Sequence, residues 1–193
     1  MTNRCWWPGE DPLYIDYHDK EWGVPVTDEQ TQFEFLCLET QQAGLSWITV
    51  LRKREHYRKK FHNFDPVKVA KMTDKAIEKL LLDKGLIRNR LKLFAIRNNA
   101  IRFLEVQEEF GSFNAYIWSF VGGKPIDSKR KTKADVPATT PESDALSKDL
   151  KKRGFKFVGS TIVYAHMQAT GMVNDHVSTC YRYKQIKAEK NKG

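Results

Sequence analysis

The chain has 193 residues, 40% hydrophobic and 30% charged, with 33 Lys and Arg against 24 Asp and Glu, a formal net charge of +9. That length suits one domain with a real core, and the composition excludes a collagenous or wholly disordered chain. The positive excess draws a protein to polyanions, either nucleic acid or an anionic membrane surface, without choosing between them. No run approaches the ~18 consecutive apolar residues of a membrane span, and the residues around Cys5 lack the apolar stretch of a signal peptide. The expectation is a cytoplasmic protein in which Cys5, Cys37 and Cys180 stay reduced.

Helical signals dominate in chain order. Thr27 and Gln30 fit a capping box ahead of Phe33, Leu36 and Cys37, with Gly44 as the stop. Residues 47–60 form a second predicted helix, with Trp47, Val50, Leu51 and Tyr57 inward and Arg52, Lys53, Arg54, Arg58, Lys59 and Lys60 making a basic face. Asp65-Pro66 and Thr73 start two short helices, the second carrying Ile77, Leu80 and Leu81. A long helix over 89–110 holds Leu93, Ile96, Ala100, Phe103 and Leu104, and Gly111-Ser112 ends it and caps the next. Residues 122–140 read as an exposed polar loop with a basic run, Lys129 to Lys133. Thr140-Pro141 opens a helix ending in Lys151, Lys152 and Arg153, and after a turn a last helix points Ile162, Ala165 and Ala169 inward. With no period-two run, the fold class is all-α: a single domain over 1–183, helical between 27 and 171, with 1–26 and 172–183 as flanks and 184–193 as a basic disordered tail.

Cys5 and His18 lie near one end, His176 and Cys180 near the other, the latter pair spaced i, i+4. Two thiolates and two imidazoles make a closed tetrahedral Zn²⁺ shell, although a buried thiol beside unrelated histidines has the same spacing.

Several longer segments read together: Arg4-Cys5, Asp11-Pro12-Leu13-Tyr14-Ile15, Tyr17-His18-Asp19, Glu21-Trp22-Gly23-Val24-Pro25, Leu38-Glu39, Gln41-Gln42-Ala43-Gly44-Leu45-Ser46-Trp47, Lys152-Arg153-Gly154-Phe155-Lys156-Phe157-Val158-Gly159 and Val173-Asn174-Asp175-His176-Val177. The chain resembles bacterial 3-methyladenine DNA glycosylase I over nearly its whole length. The resemblance implies a helix-hairpin-helix glycosylase fold whose termini are joined by one structural zinc on Cys5, His18, His176 and Cys180. It implies a monomer acting on alkylated double-stranded DNA in base-excision repair, cutting the N-glycosidic bond of 3-methyladenine. The hairpin matches residues 155–161, and Thr161 stands where strand-cleaving relatives carry a lysine nucleophile, so no lyase step is expected. Asn174 replaces the superfamily's aspartate, and the pocket carboxylate is the one matching Glu39.

Those residues suit the chemistry. A base must leave the stack before its glycosidic bond is reached. Methylation at N3 leaves adenine cationic, so the bond is already weakened and the pocket needs electron-rich faces and a carboxylate more than a strong acid. Trp47 is the expected stacking face, Glu39 the expected catalytic group, Tyr17 a further base contact, and Trp7 and Tyr14 wall candidates; Trp6 and Trp22 read as packing. Gly159, Ser160 and Thr161 at the helix start, with Lys152, Arg153 and Lys156, are the expected DNA contacts. The competing readings are a zinc-clipped module that binds damaged DNA without cutting it and, with charge alone behind it, an RNA-binding helical domain.

Overall fold

The computed structural model describes residues 3–189, and no helix among them is long and apolar enough to cross a membrane. Three helices begin with proline after a capping oxygen. In α1 (Pro12–Lys20) the Asp11 carboxylate accepts from the Leu13 and Tyr14 amides at 3.0 and 3.2 Å. Asp65 does the same for α4 (Pro66–Ala70) and Thr140 for α8 (Pro141–Lys152). Proline fits there because its missing N–H would be unpaired in any case. The first of these helices lies in the flank that sequence reading left outside the helical core.

The centre of the fold is α2 (Glu29–Gln42), in which every residue from Gln32 to Gln41 is buried. Its cap is Asp28, accepting from Thr31 N at 2.7 Å, in place of the expected Thr27–Gln30 box. A carboxylate one residue later is the stronger acceptor. Gln30 instead donates to the Asn63 carbonyl, and Glu29 accepts from the Phe113 and Asn114 amides, joining α2 to the start of another helix. Around α2 pack α3 (Trp47–Lys60), α6 (Arg90–Phe110), α7 (Phe113–Ser119) and α9 (Ser160–Ala169), with α5 (Asp74–Leu80) against α6 and with Phe33, Phe103 and Phe113 in contact at the core.

The basic face expected on α3 is largely neutralised within the chain. Arg54 is buried, bonding Glu34 at 2.5 Å and Glu21 at 2.7 Å, Arg58 also pairs with Glu34, and Arg52 bonds Asp11. On α9 the inward residues are Val163, Tyr164, His166, Met167 and, as expected, Ala169; Ile162 and Ala165 are half-buried, a rotation of the helix that the short apolar pattern did not determine.

The segment 122–140 is tied down rather than loose. β1 (Ile126–Asp127) pairs in parallel with β2 (Val173–Asn174), and the Arg130 carbonyl accepts from Ser178 N at 2.7 Å. Two residues per strand are too few to give alternation in sequence. The expected tail at 184–193 is corrected as far as Glu189: α10 (Tyr181–Glu189) runs through it, Tyr183 and Ile186 are buried, and Asp127 receives both the Tyr183 hydroxyl and Lys187. Residues 190–193 lie outside the described residues.

The flank 23–26 lies directly against the end of α9, where Val26 N donates to Thr170 O at 2.9 Å. Gly171, at φ +72°, faces it, and a Cβ there would sit 2.4 Å from Pro25 N and 2.5 Å from Val24 C. Both the backbone conformation and the contact require glycine. Gly171→Ala is expected to lower unfolding free energy by about 2–4 kcal/mol, read as an earlier urea midpoint with unchanged slope.

Candidate active site

Helices α1, α2, α3 and α9 and the residues before α1 enclose a cavity of about 200 Å³ lined by Trp7, Tyr14, Tyr17, Glu39, Trp47 and Gln168, among others. All five expected base-contact residues therefore converge from three separate stretches of sequence. Trp47 is placed by the first turn of α3, directly after the Gly44 turn, and its ring lies 5.6 Å from that of Tyr17. The Trp7 ring lies 4.8 Å from Tyr14 and 6.2 Å from Tyr17. Trp6 and Trp22, expected to be packing residues, line the cavity as well.

The polar atoms here are unusual. Glu39 Oε2, Tyr17 Oη, Trp7 Nε1 and Trp47 Nε1 are all buried without a hydrogen-bond partner in the protein. Such groups are normally paired, and four together around one cavity make it the candidate site for a ligand that could supply the partners. Burial pushes the Glu39 carboxyl up from 4.5 to about 8. Burial, followed by the charges of Glu39 and Glu21, raises the Tyr17 phenol well above its ordinary value, so it is a neutral donor. The cavity can thus offer aromatic faces, N–H and O–H donors and one carboxyl group whose charge depends on what lies beside it.

Next to this cavity the two flanks meet. One ligand atom each from Cys5, His18, His176 and Cys180 lies within 4.8 Å of all the others, and all four residues are buried. The His176 Nδ1 atom is 3.5 Å from Cys5 Sγ and 3.6 Å from Cys180 Sγ, and His18 Nε2 is 3.6 Å from Cys180 Sγ. Hydrogen bonding with Cys5, then with His176 and His18, holds the Cys180 thiol far down, while its contact with Cys180 and burial push Cys5 up. The remaining ring nitrogens are also held: His18 Nδ1 by Asp19 at 2.8 Å, itself gripped by Arg4, and His176 Nε2 by the Trp22 carbonyl at 2.9 Å. The cluster touches the cavity wall, because the Trp7 ring lies 5.1 Å from His18 and the Trp22 ring 4.7 Å from His176.

The expected DNA contacts lie on the turn between α8 and α9. Gly159 caps α9 without a side chain, Ser160 bonds Ser143 at 2.8 Å and Asp144, and Thr161 is exposed. Asn99 holds the turn by donating to the Lys156 carbonyl and accepting from its amide. Lys152 and Lys156 are exposed, but Arg153 is not available as expected. Its guanidinium pairs with Asp149 at 2.7 Å and Glu109 at 2.6 Å and lies over Phe110 and Tyr116. Sequence reading also missed Gln42, Val136, Ala165 and Gln168 in the cavity lining. Only the three-residue spacing of Ala165 and Gln168 on one helix offered a signal.

Fold and cavity together define a helical protein with an aromatic-walled cavity around a buried carboxyl group. Comparison with known proteins narrows this. A family profile, methyladenine glycosylase, matches residues 7–183. The chain is 56% identical to DNA-3-methyladenine glycosylase 1 of Escherichia coli strain K12 and 55% identical to DNA-3-methyladenine glycosylase of Haemophilus influenzae. Each alignment spans 93% of this chain, and 96% and 97% of those proteins respectively. Two solved structures superpose closely. One, of a 3-methyladenine DNA glycosylase I, gives a TM-score of 0.89 at 54% identity and covers 93% of this chain and 98% of that one. The other concerns 3-methyladenine recognition by the Staphylococcus aureus glycosylase I, with a TM-score of 0.90 at 40% identity and coverage of 93% and 96%. The chain belongs to the methyladenine glycosylase family.

The raised Glu39 carboxyl has a stability consequence of definite sign. Above pH 4.5 the unfolded chain loses this proton while the folded protein keeps it until about pH 8, so stability falls across that window. Glu39→Gln is therefore expected to stabilise the empty protein by up to about 3 kcal/mol at pH 7, with the gain vanishing near pH 4, as measured by urea unfolding at a series of pH values.

Proposed function

We propose that this protein is a DNA-3-methyladenine glycosylase that hydrolyses the N-glycosidic bond of 3-methyladenine in alkylated double-stranded DNA, releasing the base and leaving an abasic site without a lyase step. The four unpaired polar atoms around one aromatic cavity carry this reading, and membership of the methyladenine glycosylase family supports it.

The extruded base enters as a cation. Trp47 gives it an electron-rich face, worth ~0.5–2 kcal/mol. Beside the positive ring the Glu39 carboxyl gives up its proton and forms a buried ion pair, and the Tyr17 hydroxyl and indole N–H groups donate to ring lone pairs. Trp7 and Tyr14 close the wall. When the C1′–N bond breaks, its electron pair neutralises the base, so little general-acid help is required and water completes the sugar.

Cys5, His18, His176 and Cys180 would hold one structural Zn²⁺. Their donor distances of 3.5–3.6 Å fit the ~3.3–3.8 Å separations that tetrahedral zinc imposes on sulfur and nitrogen ligands. The Asp19 and Trp22 partners orient both imidazoles as ligating histidines are usually oriented. The ion would neutralise thiolate charge and clip the flanks together, and four protein ligands would leave no open position for catalysis.

The α8–turn–α9 unit is read as the hairpin of the helix-hairpin-helix superfamily, with the free N–H groups of Gly159, Ser160 and Thr161 on a phosphate and Lys152 and Lys156 beside it. Because Arg153 is committed elsewhere, its part is to brace the hairpin against α6 and α7. The proposed setting is a monomer in the bacterial cytoplasm, drawn to the nucleoid by DNA.

Release of free base from methylated duplex DNA tests the activity. Wild type is expected to liberate 3-methyladenine, and folded Glu39→Gln to do so roughly 100-fold or more slowly. Binding of the DNA with no release by wild type would establish the non-cutting module instead. Native mass spectrometry tests the metal: one zinc per chain is expected in wild type and none in Cys180→Ala, which should also melt earlier.

A further inference from the structure

The pocket has a depth order. Tyr17, Glu39 and Trp47 are buried to 2%, 3% and 8% exposure, whereas Trp6 is 43% exposed and Gln42, Val136 and Gln168 are half-buried. If the base fills the floor, its sugar carbon lies toward the rim. Gln168 reaches that rim from α9, one turn after Ala165, whose small side chain leaves space beside it.

The Gln168 amide has a fixed orientation. Its Nε2 donates to Asp175 Oδ2 at 3.0 Å, and a paired carboxylate only accepts, so the amide cannot flip. Asp175 is itself immobile: it is 1% exposed, receives the Tyr164 hydroxyl and pairs with Arg130 at 3.2 Å. With the nitrogen turned to Asp175, the Oε1 atom is the end left to the cavity. The other polar side chains there include the donors of Trp7, Tyr17 and Trp47, the deep carboxyl of Glu39, the Tyr14 phenol and the Gln42 amide; of the two amides, that of Gln168 is the one held by a buried carboxylate. A neutral acceptor at the rim has no part in the base contacts described above.

We infer that Gln168 positions the hydrolytic water, its Oε1 accepting a hydrogen bond that aims the water oxygen at C1′, with Asp175, Tyr164 and Arg130 holding the amide. This rests on the glycosylase reading. In the step, the C1′–N bond breaks with its electron pair leaving on the base, which changes from cation to neutral. The water oxygen bonds C1′, and its surplus proton passes to solvent at the open rim. Gln168 neither gains nor loses a proton, so an amide suffices where the leaving group is already activated.

The test separates chemistry from base binding. Single-turnover release of 3-methyladenine from methylated duplex DNA is measured alongside the affinity for free 3-methyladenine by tryptophan fluorescence. Gln168→Leu is expected to slow release roughly 10- to 100-fold and to leave free-base affinity unchanged, with a lower melting temperature because the buried Asp175 loses one donor. Gln168→Asn, which stays polar but withdraws the oxygen by one bond, should show the same split and serves if the Leu variant does not fold. Wild-type rates in both variants overturn the assignment, as does a parallel loss of free-base affinity, which would make Gln168 a base contact. Failure of wild type itself to release base defeats the glycosylase reading, an outcome distinct from either.

Discussion

The aromatic wall of the cavity is supplied by a flank that must be held against a core it does not itself complete. Trp6, Trp7, Tyr14, Tyr17 and Trp22 all precede α2, and the residues that fix their position are at the opposite end of the chain. The junction is the Cys5, His18, His176 and Cys180 cluster, with Trp7 and Trp22 packed directly on its imidazoles. Gly171 lets the backbone at 23–25 approach closely, and the pairing of β1 with β2 brings in the segment bearing Val136. Closing so long a span by noncovalent contacts is entropically unfavourable, which gives a metal clip at this junction a physical purpose.

The second governing constraint is electrostatic. A helix buried along ten successive residues has no room for an unanswered charge, and α2 answers Glu34 with Arg54 and Arg58. Glu39, five residues further on, has no such partner. That destabilises the empty fold and prepares it for a ligand that is itself a cation. A neutral purine would leave the carboxyl protonated, and the discrimination between the two lies in this one proton. The same cost would be pointless in a protein that merely reads phosphates.

Helix positions were legible in the sequence wherever a cap and an apolar period coincided. Residues 47–60, 89–110 and 141–153 agree with α3, α6 and α8 within a residue, because Asn89, Gly111 and Thr140 act locally. What eluded sequence reading depends on distant partners. α10 forms because Tyr183 and Ile186 find a surface and Asp127 accepts Tyr183 and Lys187, none of which a lysine-rich segment advertises. The pairing of Arg54 and Arg153 inside the fold likewise follows from acids on other helices. In the pocket, the resemblance supplied Tyr17, Glu39 and Trp47, but Gln168 has no sequence neighbour that reveals its tie to Asp175.

The gradient from floor to rim also fits the movement of charge. In the proposed reaction, positive charge is on the base before the bond breaks and faces the carboxyl-bearing floor. As the bond lengthens, charge migrates to the sugar, toward the wetter rim, where water and a fixed acceptor are better suited to receive it. Groups at the floor stabilise the bound cation, and binding alone does not accelerate chemistry. The acceleration comes from what the rim presents to the developing sugar cation and from the negative charge of Glu39 to the extent that it also stabilises the positive charge passing from base to sugar. A pocket of aromatic faces with one carboxyl at the bottom and no strong acid is therefore matched to a leaving group that alkylation has already prepared, and poorly matched to an undamaged purine.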